Sequence, residues 1–567
     1  QVENKNLNTY FTRDMINRFT QIEGGEIFYR VPKGAIGNLN EESYKAHNIR
    51  AQLNFARSWV DLHKQSHNIA AVGGIEVRDI RGEIHTRRIF DYKKGSSMGY
   101  EIDDSTYFPL YHAPYLSDRI PNPKFDLMTI DRYISYYVSA AYTYREKYTL
   151  SASARKDESN LFGVRTNQKG IPLYSIGAGW DISREHFFTS KWINFLKIRA
   201  THGYNGNVNK SVSAYTTAKL VPSNSYGVMA GTIVNPPNPD LRWEKIQITN
   251  FGIDFRTTGE IIEGSIEYYI KKGTDLIGLT RIDPTNGVSE FTGNVASMKG
   301  SGFDISITTR NINRQIKWST ILLFNHAIDK ITNYGTRYAT IAEYYNATKL
   351  NPLADRPLYA VYALKWEGLD PLTGDPRGRL NGSISTDYNS ILSSTNLKDL
   401  IYVGPANPTL FGALRNVISW RQFELSLNIT WRAGHYFRRP TIEYLNTFYG
   451  FSPGHIDYVN RWQKPGDELV TYIPSSNYSY SISRDEFFEN SEVLVEKGDN
   501  IRLQDIRVSY EMNRSQSRKL LMQSLSIYFY VNNVGLLWKA TKHDIDPDYY
   551  TSIPNPRTWT MGIKMEF

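Results

Sequence analysis

The chain has 567 residues, too many for one ordinary core, so several domains or one very large repetitive sheet is expected. Charged residues make up 22% and the mean hydropathy is −0.46. No apolar run approaches the roughly 18 residues of a helical membrane span, which excludes helical spans but leaves membrane strands open. The formal net charge of +9 comes without a basic run or a clustered Lys/Arg helix, which points to a solvated or lipopolysaccharide-facing surface rather than nucleic acid. The absence of cysteine removes disulfides, zinc ribbons and thiol catalysis. Forty Tyr and 11 Trp suit either the interfacial girdles of a barrel or a surface that stacks on ligands. The opening Gln1-Val2-Glu3-Asn4-Lys5 is polar, so any export signal is expected upstream of it.

Residues 1–43 read as an extracellular loop segment and 44–567 as the C-terminal part of a transmembrane antiparallel β-barrel with long extracellular loops. About fifteen segments alternate apolar and polar residues: 46–59, 67–82, 130–145, 147–156, 171–183, 193–204, 241–256, 261–273, 294–309, 314–328, 407–418, 421–435, 501–512, 523–534 and 557–567. Tyr136, Val138, Ala140, Tyr142 and Tyr144 share one face, against Ser135, Tyr137, Ser139, Thr143 and Arg145. Ile262, Ile266, Tyr268 and Ile270 oppose Glu263, Ser265, Glu267 and Lys271. Phe423, Leu425, Leu427, Ile429 and Trp431 oppose Glu424, Ser426, Asn428, Thr430 and Arg432. Trp559, Met561, Ile563, Met565 and Phe567 alternate with Thr560, Gly562, Lys564 and Glu566. A period of two sustained over about ten residues is the mark of a transmembrane strand, whereas sandwich strands run about five or six. The connections alternate short and long, as periplasmic turns and extracellular loops do, and 184–192 reads as a short periplasmic helical turn. An odd count of strands cannot close alone as a bacterial single-chain barrel, so further strands are expected upstream.

Six segments carry a family resemblance. They are Arg155-Lys-Asp-Glu-Ser-Asn-Leu-Phe-Gly163, Leu196-Lys-Ile-Arg-Ala-Thr-His-Gly-Tyr-Asn-Gly-Asn207 and Asn238-Pro-Asp-Leu-Arg-Trp-Glu-Lys245. The others are Tyr268-Tyr-Ile-Lys-Lys-Gly-Thr-Asp-Leu-Ile277, Asn294-Val-Ala-Ser-Met-Lys-Gly-Ser-Gly302 and Asp546-Pro-Asp548. In this order and spacing they resemble the SusC/RagA family of TonB-dependent outer-membrane transporters. Arg13-Asp-Met-Ile-Asn17 looks like that family's Arg-Asn-x-x-Asn, with Asp14 departing from it. The resemblance implies a barrel of about 22 strands with a plugged lumen. It also implies an N-terminal plug and barrel portion of the same transporter, a TonB contact made through that portion, and a SusD-like surface lipoprotein over the mouth. The expected activity is energy-coupled import of large nutrients across the bacterial outer membrane, with oligosaccharides first and oligopeptides as the alternative.

Loop aromatics are the candidate substrate contacts, because exposed rings stack on sugar faces or pack against peptide side chains. Tyr107, Phe108, Tyr111 and Tyr115 crowd one loop, and Tyr359, Tyr362 and Trp366 lie in a second. Tyr444, Phe448, Tyr449, Phe451, Tyr458 and Trp462 crowd a third. The same rings could instead hold the loops folded or meet the lipoprotein. Asp370-Pro-Leu-Thr-Gly-Asp-Pro376 is an acidic turn without the further ligands of an oxygen cage, and a plain turn is the stronger reading. His63 and His67 are four apart but sit at a turn and strand start, where solvated histidines are expected. Gly95-Ser-Ser-Met-Gly99 matches a nucleophile elbow only in letters, since it falls in a loop. An outer-membrane barrel enzyme would need a Ser/His/Asp set or paired carboxylates at one rim, and no loop offers one. No catalytic residue, metal or cofactor is expected.

Overall fold

The computed structural model describes residues 2–5, 9–92, 99–160, 170–207, 209–210, 212–222, 229–286, 288–335, 340–345, 351–449, 454–476, 481–513 and 523–566. Fifteen long strands run through them. They are β1 (Ile36–Val60), β2 (Ser66–Phe90), β3 (Phe125–Tyr144), β4 (Tyr148–Ser159), β5 (Gly170–Asp181), β6 (Ile193–Asn207), β7 (Glu244–Thr257) and β8 (Ile262–Arg281). They continue with β9 (Glu290–Asn313), β10 (Ile316–Tyr334), β11 (Leu410–Trp420), β12 (Phe423–Ala433), β13 (Asn500–Asn513), β14 (Ser524–Lys539) and β15 (Thr558–Glu566). Each is hydrogen-bonded to the next in chain order, one uninterrupted meander, and Val2–Lys5 adds a short strand on Ile36–Leu39 of β1.

All fifteen segments read from the alternation are strands, and their connections alternate short and long except around 182–192, which exceeds both 160–169 and 282–289, the latter shortened by the extensions of β8 and β9. Odd-numbered strands are followed by 61–65, 145–147, 182–192, 258–261, 314–315, 421–422 and 514–523. Even-numbered strands are followed by 91–124, 160–169, 208–243, 282–289, 335–409, 434–499 and 540–557. The helical turn expected at 184–192 is a 3-10 turn at Ile182–Arg184. Two expectations move. β1 begins at Ile36 rather than near 46, so the loop segment ends well before residue 43. The loop expected at 274–293 is mostly strand, since β8 and β9 continue past a bulge at Asp275, where φ is +56°. Spanning a bilayer takes only about 9–11 residues, and beyond that length no lipid demands alternation, so the extensions leave no signal in the sequence.

Register fixes the two faces. Trp180, Ile198, Ile253, Ile266, Ile305 and Phe324 stand directly opposite one another across β5 to β10. One position along, Arg199, Gly252, Glu267, Asp304 and Asn325 do the same on the other face. A slip of one residue would exchange these faces, so the pattern itself specifies the pairing. The polar face is laced by side-chain bonds: Arg199 Nε donates to Asp254 at 3.1 Å, Asn250 to Glu267 at 2.8 Å and Asn428 to Asp505 at 2.8 Å. The apolar face is exposed: Val138 at 54%, Ile176 at 60% and Met561 at 71% of their surface. The buried apolar clusters lie elsewhere, in the long connections and where the N-terminal segment meets the ends of β1 and β2. That inversion is what a hydrocarbon solvent asks for.

The chain divides into two compact units. One comprises 1–53, 73–138 and 155–172, with a core of Met15, Ile16, Phe19, Val31, Ile36, Phe90, Phe108 and Ile120. Its helix Tyr10–Arg18 carries the Arg13–Asn17 segment and is capped by Thr9, whose hydroxyl accepts from the Thr12 amide at 3.3 Å. The other unit comprises 54–72, 139–154 and 173–567. On its short-turn side, rings follow one another along the strand ends. Trp59 stacks on His67 at 4.9 Å, His67 meets Tyr144 at 5.1 Å, Tyr144 meets Tyr148 at 6.4 Å, and Tyr148 meets Trp180 at 6.4 Å. This is an interfacial girdle. Glu185 ties it down, accepting from Tyr148 at 2.5 Å, Lys147 at 3.0 Å and Trp180 at 3.1 Å, which holds its carboxyl down at about 2.

The β3–β4 turn places Arg145 and Glu146 at φ +54° and +56°, the left-handed pair of a type I′ turn that favours Asn-Gly. Converting Arg145-Glu146 to Asn-Gly should stabilise the hairpin by about 1–2 kcal/mol, because glycine removes one β-carbon from a disfavoured region and asparagine tolerates that region better than arginine. The urea midpoint for loss of heat-modifiable gel mobility should rise; an unchanged or lower midpoint would contradict this turn geometry.

Candidate capture surface and polar wall

The loop rings separate by burial. Phe108 belongs to the core around Met15 and Phe19. Tyr444 is 2% exposed, its hydroxyl donating to the Pro474 carbonyl at 2.6 Å. Trp462 lies against Gly374 and donates to Glu468 at 3.1 Å. Trp366 packs between two loop clusters, 5.8 Å from Phe488. Phe108, Tyr444 and Trp462 are buried and Trp366 is half-buried, and loop clusters need large apolar rings to offset the entropy of ordering long connections. Tyr107, Tyr111, Tyr115, Tyr359, Phe448 and Tyr449 remain exposed. Arg119 sits over Tyr107 at 4.5 Å, and Tyr444 stacks on Phe448 at 6.3 Å. Phe451 lies outside the described residues, as do Phe567 and residues 95–98 of the Gly95–Gly99 segment.

One cavity gathers rings from three connections. It measures about 300 Å³ and is lined by Tyr344, Tyr345, Tyr359 and Tyr362 of 335–409, Tyr436 and Arg438 of 434–499, and Tyr550 of the last loop, among others. Tyr362 is buried, but its hydroxyl has no hydrogen-bond partner among the described residues. Arg438 holds the wall together, donating to the Tyr362 carbonyl and the Asn490 side chain, each at 2.5 Å, and to the Tyr345 carbonyl at 3.3 Å. Burial pushes this guanidinium down to about 10. Tyr344, Tyr345, Tyr436, Arg438 and Tyr550 were not singled out in the sequence. The adjacent pairs Tyr344-Tyr345 and Arg438-Arg439 were the available signal.

The helix Ile482–Glu489 ends on a carboxyl pushed up to about 8 by burial, with Glu443, Asp485 and Glu486 adding repulsion and Arg438 opposing it. A carboxyl raised from 4.5 stays protonated in the fold while the unfolded loop ionises. The stability it contributes is full below pH 4.5 and is lost as pH rises to about 8. Limited proteolysis within 434–499 should therefore be faster at pH 8.5 than at pH 5, and Glu489→Gln should flatten the difference. Equal rates in the parent protein would contradict the burial of this carboxyl.

The family-like segments converge rather than line a cavity. Asn207 donates to Glu244 at 2.8 Å, Glu244 accepts from the Ile277 amide at 2.8 Å, and Arg242 donates to Asp275 at 2.6 Å. Asn294 closes the set, donating to the Arg242 and Asp275 carbonyls at 2.7 and 2.6 Å. They pin the loop-side ends of β6 to β9 around the Asp275 bulge. Asp546-Pro-Asp548 does the same for the last loop: Arg502 donates to Asp546 at 2.7 Å and Asp548 at 3.1 Å, and Arg432 pairs with Asp548 at 2.8 Å. Around that clamp, Thr430, Gln504, Asn532 and Asn555 line a polar hollow of about 360 Å³. Further along the same face, Arg415, Glu424, Asp505, Arg507 and Tyr528 line another of about 500 Å³.

The Asp370–Pro376 turn is closed on itself. Asp370 accepts from the Leu372 and Thr373 amides at 2.9 and 3.0 Å, which lowers its carboxyl below the usual range, and Asp375 is held by Arg484 at 2.7 Å. His67 is part of the girdle, its Nδ1 2.7 Å from the Tyr142 hydroxyl, and Asp61 accepts from the amide of His63 at 2.9 Å.

A meander of long antiparallel strands, one face apolar and exposed, the other polar and cross-linked, defines the chain as an outer-membrane β-barrel protein. Residues 6–433 match the family model described as TonB dependent receptor-like, beta-barrel, and the chain belongs to that family. It is 22% identical over 607 residues to TonB-dependent receptor P26 of Formosa agariphila, covering 98% of this chain and 57% of that one. It is 23% identical over 458 residues to TonB-dependent receptor SusC of Bacteroides thetaiotaomicron, covering 76% of this chain and 44% of that one. The fold is similar to that in the solved structure of the RagAB peptide transporter, with a TM-score of 0.71, 18% identity, and cover of 94% of this chain and 57% of that one. The chain thus spans about half the length of these relatives.

Proposed function

We propose that the chain is the C-terminal barrel portion of a TonB-dependent transporter that imports large nutrients across the outer membrane. Oligosaccharides are the first substrate class. The supporting observation is the pairing of a lipid-suited apolar face with a polar wall that carries cavities at its loop end. In this reading the exposed rings Tyr107, Tyr111, Tyr115, Tyr359, Phe448 and Tyr449 meet the substrate or a SusD-like lipoprotein, and an N-terminal plug and barrel portion supplies the remaining strands and the TonB contact. Oligopeptides are the second reading, favoured by the likeness in fold to the RagAB peptide transporter. No hydrolytic step belongs to either.

Whole-cell accumulation of fluorescently labelled oligosaccharides and of labelled peptides, with and without a protonophore, separates the readings. Accumulation should require the gene and collapse with the protonophore, and Tyr359→Ala with Tyr550→Ala should reduce it. Equal accumulation in cells lacking the gene would overturn the transport reading.

A further inference from the structure

A further loop cavity plays no part in the foregoing. It measures about 870 Å³, within the range of about 300–1,000 Å³ that buries a small ligand, and lies between 455–473 and 542–545. Its formal charges balance: Arg439, Arg461 and Lys542 against Asp457, Asp467 and Asp544. Their partnering does not. Asp457 is occupied by Arg439 and Thr441, each at 2.7 Å. Asp467 accepts from the Gln463 and Lys464 amides at 2.9 and 3.0 Å. Asp544 is fully exposed, 3.8 Å from Lys539. The donors left over are those of Arg461 and Lys542, beside Asp544, which stays open to solvent. Arg461 donates once, to the Tyr458 carbonyl at 2.9 Å, and rests over the Tyr458 ring at 3.9 Å. Among the described residues neither it nor Lys542 has a carboxylate partner, and the Nε–H of Arg439, a residue 3% exposed, has no partner at all. A guanidinium offers five donors and an ammonium three, so the cavity presents a surplus of charged donors.

We infer that this cavity binds an anionic group of the substrate, a carboxylate or sulfate borne by an oligomer. Charge-assisted hydrogen bonds to such a group satisfy what the protein leaves unsatisfied, and bidentate Arg–oxyanion geometry adds orientation. The inference rests on the import reading for the ligand's origin, but the site can be tested by binding alone.

The complete transporter, purified from its outer membrane with whatever chains accompany it, is titrated calorimetrically. The probes are hexagalacturonate, its methyl-esterified form, hexaglutamate and hexaglutamine. At least one acidic probe should bind roughly ten-fold or more tightly than its neutral counterpart. Arg461→Gln combined with Lys542→Gln should remove that preference, while Arg461→Lys combined with Lys542→Arg should keep most of it. Heat-modifiable mobility checks folding of each variant. A response to the uronate alone assigns an acidic glycan, to the peptide alone an acidic peptide, and to both a site that reads charge. Equal binding of acidic and neutral probes, or a double Gln variant that keeps the preference, overturns the site. Retained binding in a protein that accumulates nothing in cells overturns the import reading instead.

Discussion

Ile305→Arg should impair membrane assembly while Ser306→Arg, the adjacent residue, should not. Ile305 stands between Ile266 and Phe324 on the apolar face, whereas Ser306 stands between Ser265 and Leu323 on the polar face. The pair Val138→Arg and Ser139→Arg should divide the same way, because Val138 is exposed on the face that meets hydrocarbon. Near the midplane a lipid-facing guanidinium costs about 2–4 kcal/mol, and on the polar face it finds water or carboxylates such as Asp254 and Asp304. Outer-membrane yield by heat-modifiable mobility reads the difference, and equal yields for neighbours would place the strand phases wrongly. Ser426 is unsuited to such a test despite its place on the polar face. It is 6% exposed and lies opposite Arg507 in a hollow that Arg415 also lines, so a third guanidinium there would meet two like charges.

Removing β15 should damage assembly more than any point change. β15 pairs with β14 from Ser524↔Glu566 to Asn532↔Thr558, and its loss frees that whole edge. An unsatisfied backbone group in hydrocarbon costs several kcal/mol, and no water reaches the bilayer core to replace the partner. Truncation before Thr558 should therefore abolish protease-resistant, heat-modifiable protein. Tyr549→Ala, which removes only a hydrogen bond to Asn555 at 3.0 Å and a ring under Arg502 at 5.8 Å, should be mild. A truncated chain that assembles like the parent would mean β15 closes nothing.

The strands were legible because lipid on one side and water on the other force a period of two, as in Phe423–Trp431 and Trp559–Met565. Their extensions were not, because beyond the bilayer no lipid face imposes a period of two on Ile36–Lys45 or Thr274–Arg281, where Ile36 packs into a core and Thr280 is buried. The candidate rings show a different limit. Tyr444 and Tyr449 are the same side chain five positions apart, yet one is core and the other surface. Which face a loop ring presents depends on what folds over it, here Pro474 and Phe448, and that is set by contacts remote in sequence. The cavities had no local signature for the same reason, since Arg438 reaches Tyr345 and Tyr362 across two connections.

The chain contains no cysteine, so single cysteines can be placed one at a time along β12 from Phe423 to Arg432 and carry an environment-sensitive fluorophore in native outer membranes. Lipids bearing a nitroxide on the acyl chain should quench the label at 423, 425, 427, 429 and 431 and leave 424, 426, 428, 430 and 432 bright. Quenching that is uniform along the strand, or absent throughout, would show that β12 does not cross the membrane with one face in lipid.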